Sequence, residues 1–209
     1  MAINENFFGK INDLDESIQK HIKKMGFPYP LKIHIDRSKK MDEEINRLLI
    51  DIKTKIPKTF ESSIPYILSE LTDNIEQHSN YAEAFLFVRY DAKEKCLEIG
   101  VFDDGLSIPV VFEKNNINYS KDSDAIKMAL EGKTTKQEDI SRGFGLRTTR
   151  AIVKALRGEI KIISREGMLI ISNSSIDIID FKKGKLDGTM IYLKLKTPEK
   201  DLNIYPYLE

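Results

Sequence analysis

The chain has no tryptophan, one cysteine and no long apolar run. A single cysteine, Cys96, cannot form an intrachain disulfide and suits a reducing cytosol. No apolar run approaches the ~18 residues that span a bilayer, so we expect no membrane segment. The first residues, Met1 to Glu5, do not resemble a secretory signal. The sequence therefore predicts a cytoplasmic protein.

The sequence also has no excess of positive or negative charge. Lysine and arginine together number 33, as do aspartate and glutamate, so the formal net charge is zero. This balance argues against general attraction to nucleic acid or membranes. A length of 209 residues suggests one main domain with additions. We predict an N-terminal helical extension over 1–30, the main domain over 31–197 and a C-terminal tail over 198–209.

The most informative segment runs from Ser62 to Asn80. Its apolar residues at positions 64, 67, 68, 71 and 75 predict one buried face of a helix. Glu70 and Asn74 are four residues apart, so they project from another face, one turn above the other. A carboxylate and a carboxamide in this arrangement can address one small polar target, such as a hydrated metal ion. On its own, such a pair is more often simply solvated.

Four short motifs stand in a fixed order, each at the edge of a regular element. They are Glu70-x-x-x-Asn74, Asp103-x-Gly105, Gly143-x-Gly145-Leu146 and Gly188-Thr189. The bordering elements are predicted strands over Ala84 to Tyr90, Lys95 to Phe102 and Met190 to Lys196, and a helix from Leu146 to near Gly158. The ordered set is far more specific than any single motif.

In this order the motifs resemble the GHKL ATPase domain, the Bergerat fold of gyrase, a heat-shock chaperone and histidine kinases. The first motif matches the N box, and the other three match the glycine boxes. The resemblance extends roughly from Lys32 to Lys196. One departure is Ser107, which stands where the first glycine box usually has a second glycine. A positive φ at that position would be costlier for serine.

The resemblance implies a two-layer α/β sandwich. A mixed, mostly antiparallel sheet would be covered on one face by helices. ATP and Mg²⁺ would lie between the helix layer and a lid. The second glycine box follows the lid segment, in which Thr134, Thr135 and Lys136 are candidate phosphate contacts.

Each box has an expected role. The carboxylate of Asp103 would accept a hydrogen bond from the exocyclic amine of adenine, and Gly105 would allow the backbone to approach the base. The helix that follows the second glycine box would direct free amides at phosphate, where its dipole favours an anion. The candidate residues at the phosphates are Arg142, Gly143, Phe144, Gly145 and Leu146, and Thr189 of the third box is a further nucleotide contact.

Asn74 would bind Mg²⁺, which prefers hard oxygen ligands. Glu70 could take the proton from a water or hydroxyl that attacks the γ-phosphate. Gyrase-type ATPases and anti-sigma serine kinases have glutamate at this position, whereas many histidine kinases have asparagine. His21 lacks the sequence context of a phosphoacceptor histidine, so a conventional histidine kinase is disfavoured.

Three functions remain open at the level of the sequence. The first is ATP hydrolysis that switches a regulatory partner, and the second is a serine kinase of the anti-sigma type that acts on a STAS-like partner. The third is a module that binds ATP without chemistry. The N-terminal helix could either cover the domain or mediate a homodimer.

Overall fold

The computed structural model describes residues 14–25, 33–38, 40–132 and 145–208. These ranges contain six α-helices: α1 Glu16–Lys24, α2 Met41–Ile52, α3 Ser63–Asn74, α4 Ile108–Lys114, α5 Asp122–Leu130 and α6 Gly145–Ala155. They also contain seven strands: β1 Ile33–Asp36, β2 Glu83–Asp91, β3 Cys96–Asp103, β4 Glu159–Arg165, β5 Gly167–Ile171, β6 Ile176–Asp180 and β7 Leu186–Lys196. A π-helix, Ile75–Ser79, continues α3, and Lys58–Phe60 and Tyr205–Tyr207 form short 3₁₀-helices.

The strands form one sheet in the order β1-β2-β3-β7-β4-β5-β6. Each described strand pairing is antiparallel. The two central strands, β3 and β7, are paired along their length, and the pairing ends with Asp103 opposite Thr189. The predicted two-layer α/β sandwich is confirmed. Its two central strands place two residues of the glycine boxes side by side.

One face of the sheet packs against helices α2, α3, α5 and α6. The apolar stripe predicted for α3 is confirmed, because Ile64, Ile67, Leu68, Leu71 and Ile75 are all buried there. Side chains alternate along a strand, so Leu86 and Val88 of β2 point into this core. Burial of these aliphatic side chains is the main source of attraction between the two layers.

Helix α1 covers part of the opposite face of the sheet. Ile18, Ile22 and Met25 are almost completely buried in a second cluster with Phe85, Phe102 and other side chains. Helical cover was predicted on one face of the sheet only, because the few apolar residues of the N-terminal extension do not specify which surface they contact. The apolar face of α1 is thus used within the chain, so a homodimer through this helix would have to use its polar face.

The segment predicted as a C-terminal tail packs onto the helix layer. Leu202, Ile204 and Tyr207 contact the core. The carboxylate of Asp201 accepts hydrogen bonds from the backbone amide and the hydroxyl of Ser62, the residue before α3. Residues 201–207 therefore tie the end of the chain to the start of the helix that carries Glu70.

The structure also bears on two predictions, which concern Cys96 and membrane-spanning segments. Cys96 is buried, and burial raises the pKa of its thiol, which makes it a core side chain rather than a reactive one. Among the described helices, none has both the length and the apolar character needed to cross a bilayer.

Truncation of Ile22 tests whether α1 is an integral part of the fold. Replacing this buried side chain in Ile22→Ala should lower the free energy of unfolding by about 2–4 kcal/mol, because the substitution leaves a cavity against the sheet. Ile50→Ala is the matched control, since Ile50 is 76% exposed. The control should change stability by less than about 0.5 kcal/mol. Urea unfolding measures both variants, and equal effects would show that α1 is not docked in solution.

Candidate functional site

A cavity of about 490 Å³ lies between α3, the ends of β3 and β7, and helices α4 and α6. This volume is within the usual range for small-molecule sites. Six of the residues singled out from the sequence line it: Glu70, Asn74, Asp103, Gly145, Leu146 and Thr189. Residues that are distant in the sequence are thus brought to one concave surface.

The remaining predicted residues fall into two groups. Gly105 does not line the cavity but lies against the backbone of Ser79, which does. Six others lie outside the described residues: Thr134, Thr135, Lys136, Arg142, Gly143 and Phe144. Their proposed contacts, and the lid they belong to, stay predictions.

Asp103 ends strand β3 as a buried carboxyl group that is only 4% exposed. Its Oδ1 atom accepts a hydrogen bond of 3.0 Å from the amide of Gly105. Burial raises the pKa of Asp103 to about 7, and hydrogen bonds from Gly105, Ser79 and Thr189 oppose that rise. A buried carboxyl group facing a cavity can accept a hydrogen bond from a ligand in a place where water competes poorly.

The turn after Asp103 is held against the end of the π-helix. The amide of Leu106 donates to the carbonyl oxygen of Ser79 at 2.5 Å. A Cβ atom on Gly105 would lie 2.2 Å from that same oxygen, so only glycine allows this approach. The carboxylate of Asp104 accepts from the amides of Ala82 and Glu83, both at 2.9 Å, and holds the turn to the start of β2.

Ser107 shows how the chain accommodates the missing glycine of the first box. Its φ of −69° is ordinary for serine, so the positive φ considered from the sequence does not arise. Its side chain instead accepts a hydrogen bond from the amide of Val110 and begins helix α4. Ile108, Val111 and Phe112 of α4 then form an apolar wall of the cavity.

Gly188 and Thr189 approach the cavity from β7. Gly188 has φ +91°, and a Cβ atom there would lie 1.9 Å from the carbonyl oxygen of Asp103, so the position requires glycine. The hydroxyl of Thr189 lies 3.0 Å from the hydroxyl of Ser164, which also accepts from the amide of Ile108 at 2.9 Å. Buried Ser164 thereby holds Thr189 and the start of α4 together.

Glu70 and Asn74 line the cavity from α3, and both are half-buried. The side-chain nitrogen of Asn74 donates to the backbone carbonyl of Glu70 at 2.7 Å. This bond engages the amide nitrogen, so Oδ1 is the atom of Asn74 that could coordinate a cation. In the described part of the chain, no three His, Cys, Asp or Glu side chains form a metal-binding group. A cation at Asn74 would therefore depend on ligands from a bound molecule and water, as Mg²⁺ in nucleotide sites commonly does.

The start of α6 approaches this pair closely. A Cβ atom on Gly145 would lie 2.5 Å from Oε2 of Glu70 and 3.3 Å from Nδ2 of Asn74. The glycine lets the first turn of α6 reach the carboxylate and the carboxamide. The amino end of a helix favours negative charge, so an anionic group bound between α3 and α6 would be stabilised.

The Asp103 carboxyl group and the Glu70–Asn74 pair lie in different parts of the cavity. Asp103 contacts Ser79, which is nine residues beyond Glu70. The continuous helix makes about two turns between these two positions. An extended ligand could therefore place a hydrogen-bond donor at Asp103 and an anionic end between α3 and α6.

Two hydroxyl groups in the wall, those of Tyr66 and Thr148, belong to none of the sequence motifs, and both line the cavity together with Glu70. Burial raises the pKa of Tyr66 to about 12, and the nearby Glu70 carboxylate adds to the rise. Tyr66 precedes Glu70 by four residues, so the same helical spacing that paired Glu70 with Asn74 could have identified it.

Comparisons with known proteins leave the family open. No protein-family model matches the chain, and no curated protein matches it. Among solved structures, the histidine kinase domain of the blue-light activated histidine kinase from Erythrobacter litoralis EL346 aligns with 86% of this chain and 70% of its own. The identity is 15% and the TM-score is 0.38. That TM-score is too low to assign a family or an activity.

The buried carboxyl of Asp103 predicts a pH dependence of stability. Its pKa is about 7 in the folded state and 3.8 ordinarily, so the folded state binds the extra proton between these values. This contribution to stability is present below about pH 4 and is lost as the pH rises to about 7. Wild type should therefore lose more stability than Asp103→Asn between pH 4.5 and 8, by a difference of the order of 2–4 kcal/mol.

Urea unfolding at four pH values measures this difference, since other titrating groups contribute equally to both proteins. Asp187→Asn is the matched control, because the side chain of Asp187 is 83% exposed. It should show the wild-type pH dependence. Parallel curves for wild type and Asp103→Asn would contradict the raised pKa.

Proposed function

We propose that the chain binds Mg-ATP in this cavity and hydrolyses it as a nucleotide switch in regulation. The observation that supports the proposal is the convergence of Glu70, Asn74, Asp103, Gly145 and Thr189 on one cavity. Each comes from one of the four ordered motifs. Chance occurrence of four short motifs would not be expected to bring their polar groups to one surface.

Adenine would bind at Asp103. Its exocyclic amine would donate to the carboxylate, and the apolar side chains of Ile108, Val111 and Phe112 would contact the rest of the ring from α4. A ligand amine would favour the ionised form of Asp103. The cost of burying that charge in the free protein would then be offset when the ligand binds.

The phosphates would lie between α3 and the start of α6. Asn74 would contribute Oδ1 as the protein ligand to Mg²⁺, which neutralises phosphate charge when bound. Gly145 lets the first turn of α6 pack directly against Glu70 and Asn74, where a Cβ atom would lie 2.5 Å from Oε2 of Glu70. Leu146 and the positive end of the α6 dipole would contact the anionic end of the ligand.

Glu70 would act as the general base. Its carboxylate would accept the proton of a water molecule while the water oxygen forms a bond to the γ-phosphorus and the bond to the ADP oxygen breaks. The products are ADP and inorganic phosphate, and Glu70 carries the proton until it is released to solvent. The position of the Glu70 carboxylate in the cavity wall, one helical turn from Asn74, supports this proposal.

The same carboxylate could deprotonate a serine hydroxyl on a partner protein. The alternative proposal is therefore a serine kinase of the anti-sigma type acting on a STAS-like partner in the cytosol. A module that only binds ATP is disfavoured by Glu70, which such a module would not need. Incubation with γ-labelled ATP separates these functions by whether label appears as free phosphate, on an added partner or in neither.

Loss of the Asp103 carboxylate should weaken nucleotide binding. Asp103→Asn should reduce ATP affinity by about 1.5–3 kcal/mol, which is the value of a hydrogen bond to a charged group. Calorimetry at pH 8 with Mg²⁺ measures the effect, because Asp103 is ionised there. Asp187→Asn should bind as wild type does. An unchanged Kd in folded Asp103→Asn would rule out adenine recognition by this residue.

Replacement of Glu70 separates chemistry from binding. Glu70→Gln keeps the shape of the side chain but cannot accept the proton, so turnover should fall by about two orders of magnitude or more. ATP affinity should change little, because a base acts in the transition state. Glu76→Gln, an exposed substitution in the π-helix that follows α3, is the control. Wild-type turnover by Glu70→Gln would exclude Glu70 as the base.

A further inference from the structure

Helix α4 forms the apolar wall of the cavity, and it is short. It has only the seven residues Ile108–Lys114 and contributes Ile108, Val111 and Phe112 to the cavity. A helix of this length has little stability of its own, so its position depends on the contacts that it makes with the rest of the chain. The start of α4 is held by Ser164, whose hydroxyl accepts a hydrogen bond of 2.9 Å from the amide of Ile108.

The end of α4 is held by Arg165, the residue that follows Ser164. Its Nη1 atom lies 2.6 Å from Oε1 of Glu113, the penultimate residue of the helix. The same carboxylate oxygen accepts a hydrogen bond of 2.5 Å from the hydroxyl of Tyr119, in the loop that follows α4. Two adjacent residues of β4 therefore hold the two ends of one helix.

Arg165 reaches α4 at a place where the strand is irregular. Consecutive side chains of a regular strand point to opposite faces of the sheet, yet Ser164 and Arg165 both contact α4. The pairing of β4 with β7 shifts between these two residues, from Ser164 opposite Thr189 to Arg165 opposite Leu186. Arg165 also has a φ of +56°, which is uncommon for a residue with a side chain. Irregular pairing beside a site can redirect a side chain, and such backbone angles are concentrated at functional sites.

The guanidinium of Arg165 also approaches helix α5. Its Nε atom lies 3.7 Å from Oδ2 of Asp122, the first residue of α5. The same oxygen accepts a hydrogen bond of 3.0 Å from the amide of Glu166. Ala129, near the other end of α5, lines the cavity. The end of β4 thus connects both α4 and α5 to the sheet.

We propose that Arg165 is a positioning residue that holds α4 against the base end of the cavity and thereby contributes to the choice of base. The inference rests on the proposed function, in which α4 contacts the adenine ring beside Asp103. Arg165 is not among the residues that line the cavity, so its effect on binding has to pass through α4. None of the sequence motifs contains it.

The position of α4 matters because a flat ring needs a slot of constant width. Contact energy between nonpolar atoms falls by about a quarter to a half when a gap of 0.5–1 Å opens. A ring that Val111 and Phe112 held less firmly would also be aligned less well with Asp103. That carboxylate accepts from the exocyclic amine of adenine, whereas guanine presents a carbonyl oxygen at the corresponding position. Loss of alignment would therefore reduce both affinity and discrimination.

The test is Arg165→Gln, and Arg157→Gln is the matched control. Arg157 is exposed and has a φ of +49°, so the control makes the same change in the same kind of backbone conformation. In Arg165→Gln, calorimetry should show Mg-ATP affinity lower by about three- to tenfold and a smaller ratio of GTP Kd to ATP Kd. At saturating ATP, kcat should stay within about twofold, because Glu70 is untouched. Arg157→Gln should behave as wild type.

Glu113→Ala removes the other partner of the ion pair. It should weaken ATP binding as Arg165→Gln does, and the double variant should lose little more than either single variant. A purely structural role would lower stability or the fraction of active protein and leave the ratio of GTP Kd to ATP Kd unchanged. An unchanged ratio, or a loss of kcat with unchanged Kd, would overturn the inference.

A second measurement needs no nucleotide. Amide hydrogen exchange in the peptide that covers residues 108–119 reports how firmly α4 is held. Arg165→Gln should exchange about three- to tenfold faster there than wild type and Arg157→Gln, while the central strand β3 exchanges at the same rate in all three proteins. Equal exchange of α4 in all three would show that Arg165 does not hold the helix and would overturn the inference.

The two proposals fail in different ways. If wild type binds Mg-ATP and Arg165→Gln binds ATP and GTP as wild type does, only the positioning role is overturned. If wild type binds no nucleotide, the proposed function is overturned and the effect of Arg165 on base choice falls with it. The exchange measurement then still reports whether the ion pair holds α4 in place.

Discussion

The carbonyl oxygen of Ser79 fixes the relation between the helix layer and the sheet edge at the cavity. It accepts from the amide of Leu106, and Gly105 passes so close that no side chain could stand there. The same serine approaches Asp103 through its hydroxyl. The end of the helix that carries Glu70 and the turn that carries Asp103 therefore have one relative position. Ser79 is the last residue of the π-helix that continues α3.

Asp103 shows the conflict between stability and binding in this site. Burial in the free protein disfavours the charged form of Asp103. This desolvation cost is only partly offset by the amides of Gly105 and Thr189 and by the Ser79 hydroxyl. A nonpolar residue there would avoid this penalty, yet the strand ends in a carboxylate. A carboxyl group held at such a cost, and directed into a cavity, is typical of a position retained for ligand recognition.

The rest of the site depends on small or polar residues that prevent collapse of the cavity. Gly145 keeps the start of α6 beside Glu70 without a side chain between them, and Gly188 allows β7 to turn against the backbone of Asp103. Ser164 holds Thr189 and the start of α4 with one hydroxyl. Around these groups, the two apolar clusters on the opposite faces of the sheet make the frame rigid.

Much of this could be predicted from the sequence, because some information is local. The period of 3.6 residues in α3 and the alternation in β2 report the buried faces directly, and the order of the polar motifs indicated one shared site. Strands β4 to β6 were not predicted. Ser107 stands where the family usually has a glycine, so a positive φ would have been energetically costly there. Its φ is instead ordinary for serine, and the residue begins helix α4.

The sequence alone indicates which residues are apolar at helical or strand spacing and which polar groups stand at the ends of elements. Where those elements lie depends on the tertiary packing. It placed α1 on the second face of the sheet, the C-terminal segment on the start of α3, and Tyr66 and Thr148 in the wall of one cavity. Such contacts join residues that are far apart in the chain, as in the hydrogen bond between Ser62 and Asp201, which are 139 positions apart. Local periodicity does not indicate which distant residue will be the partner, because the contact forms only when separate layers pack together.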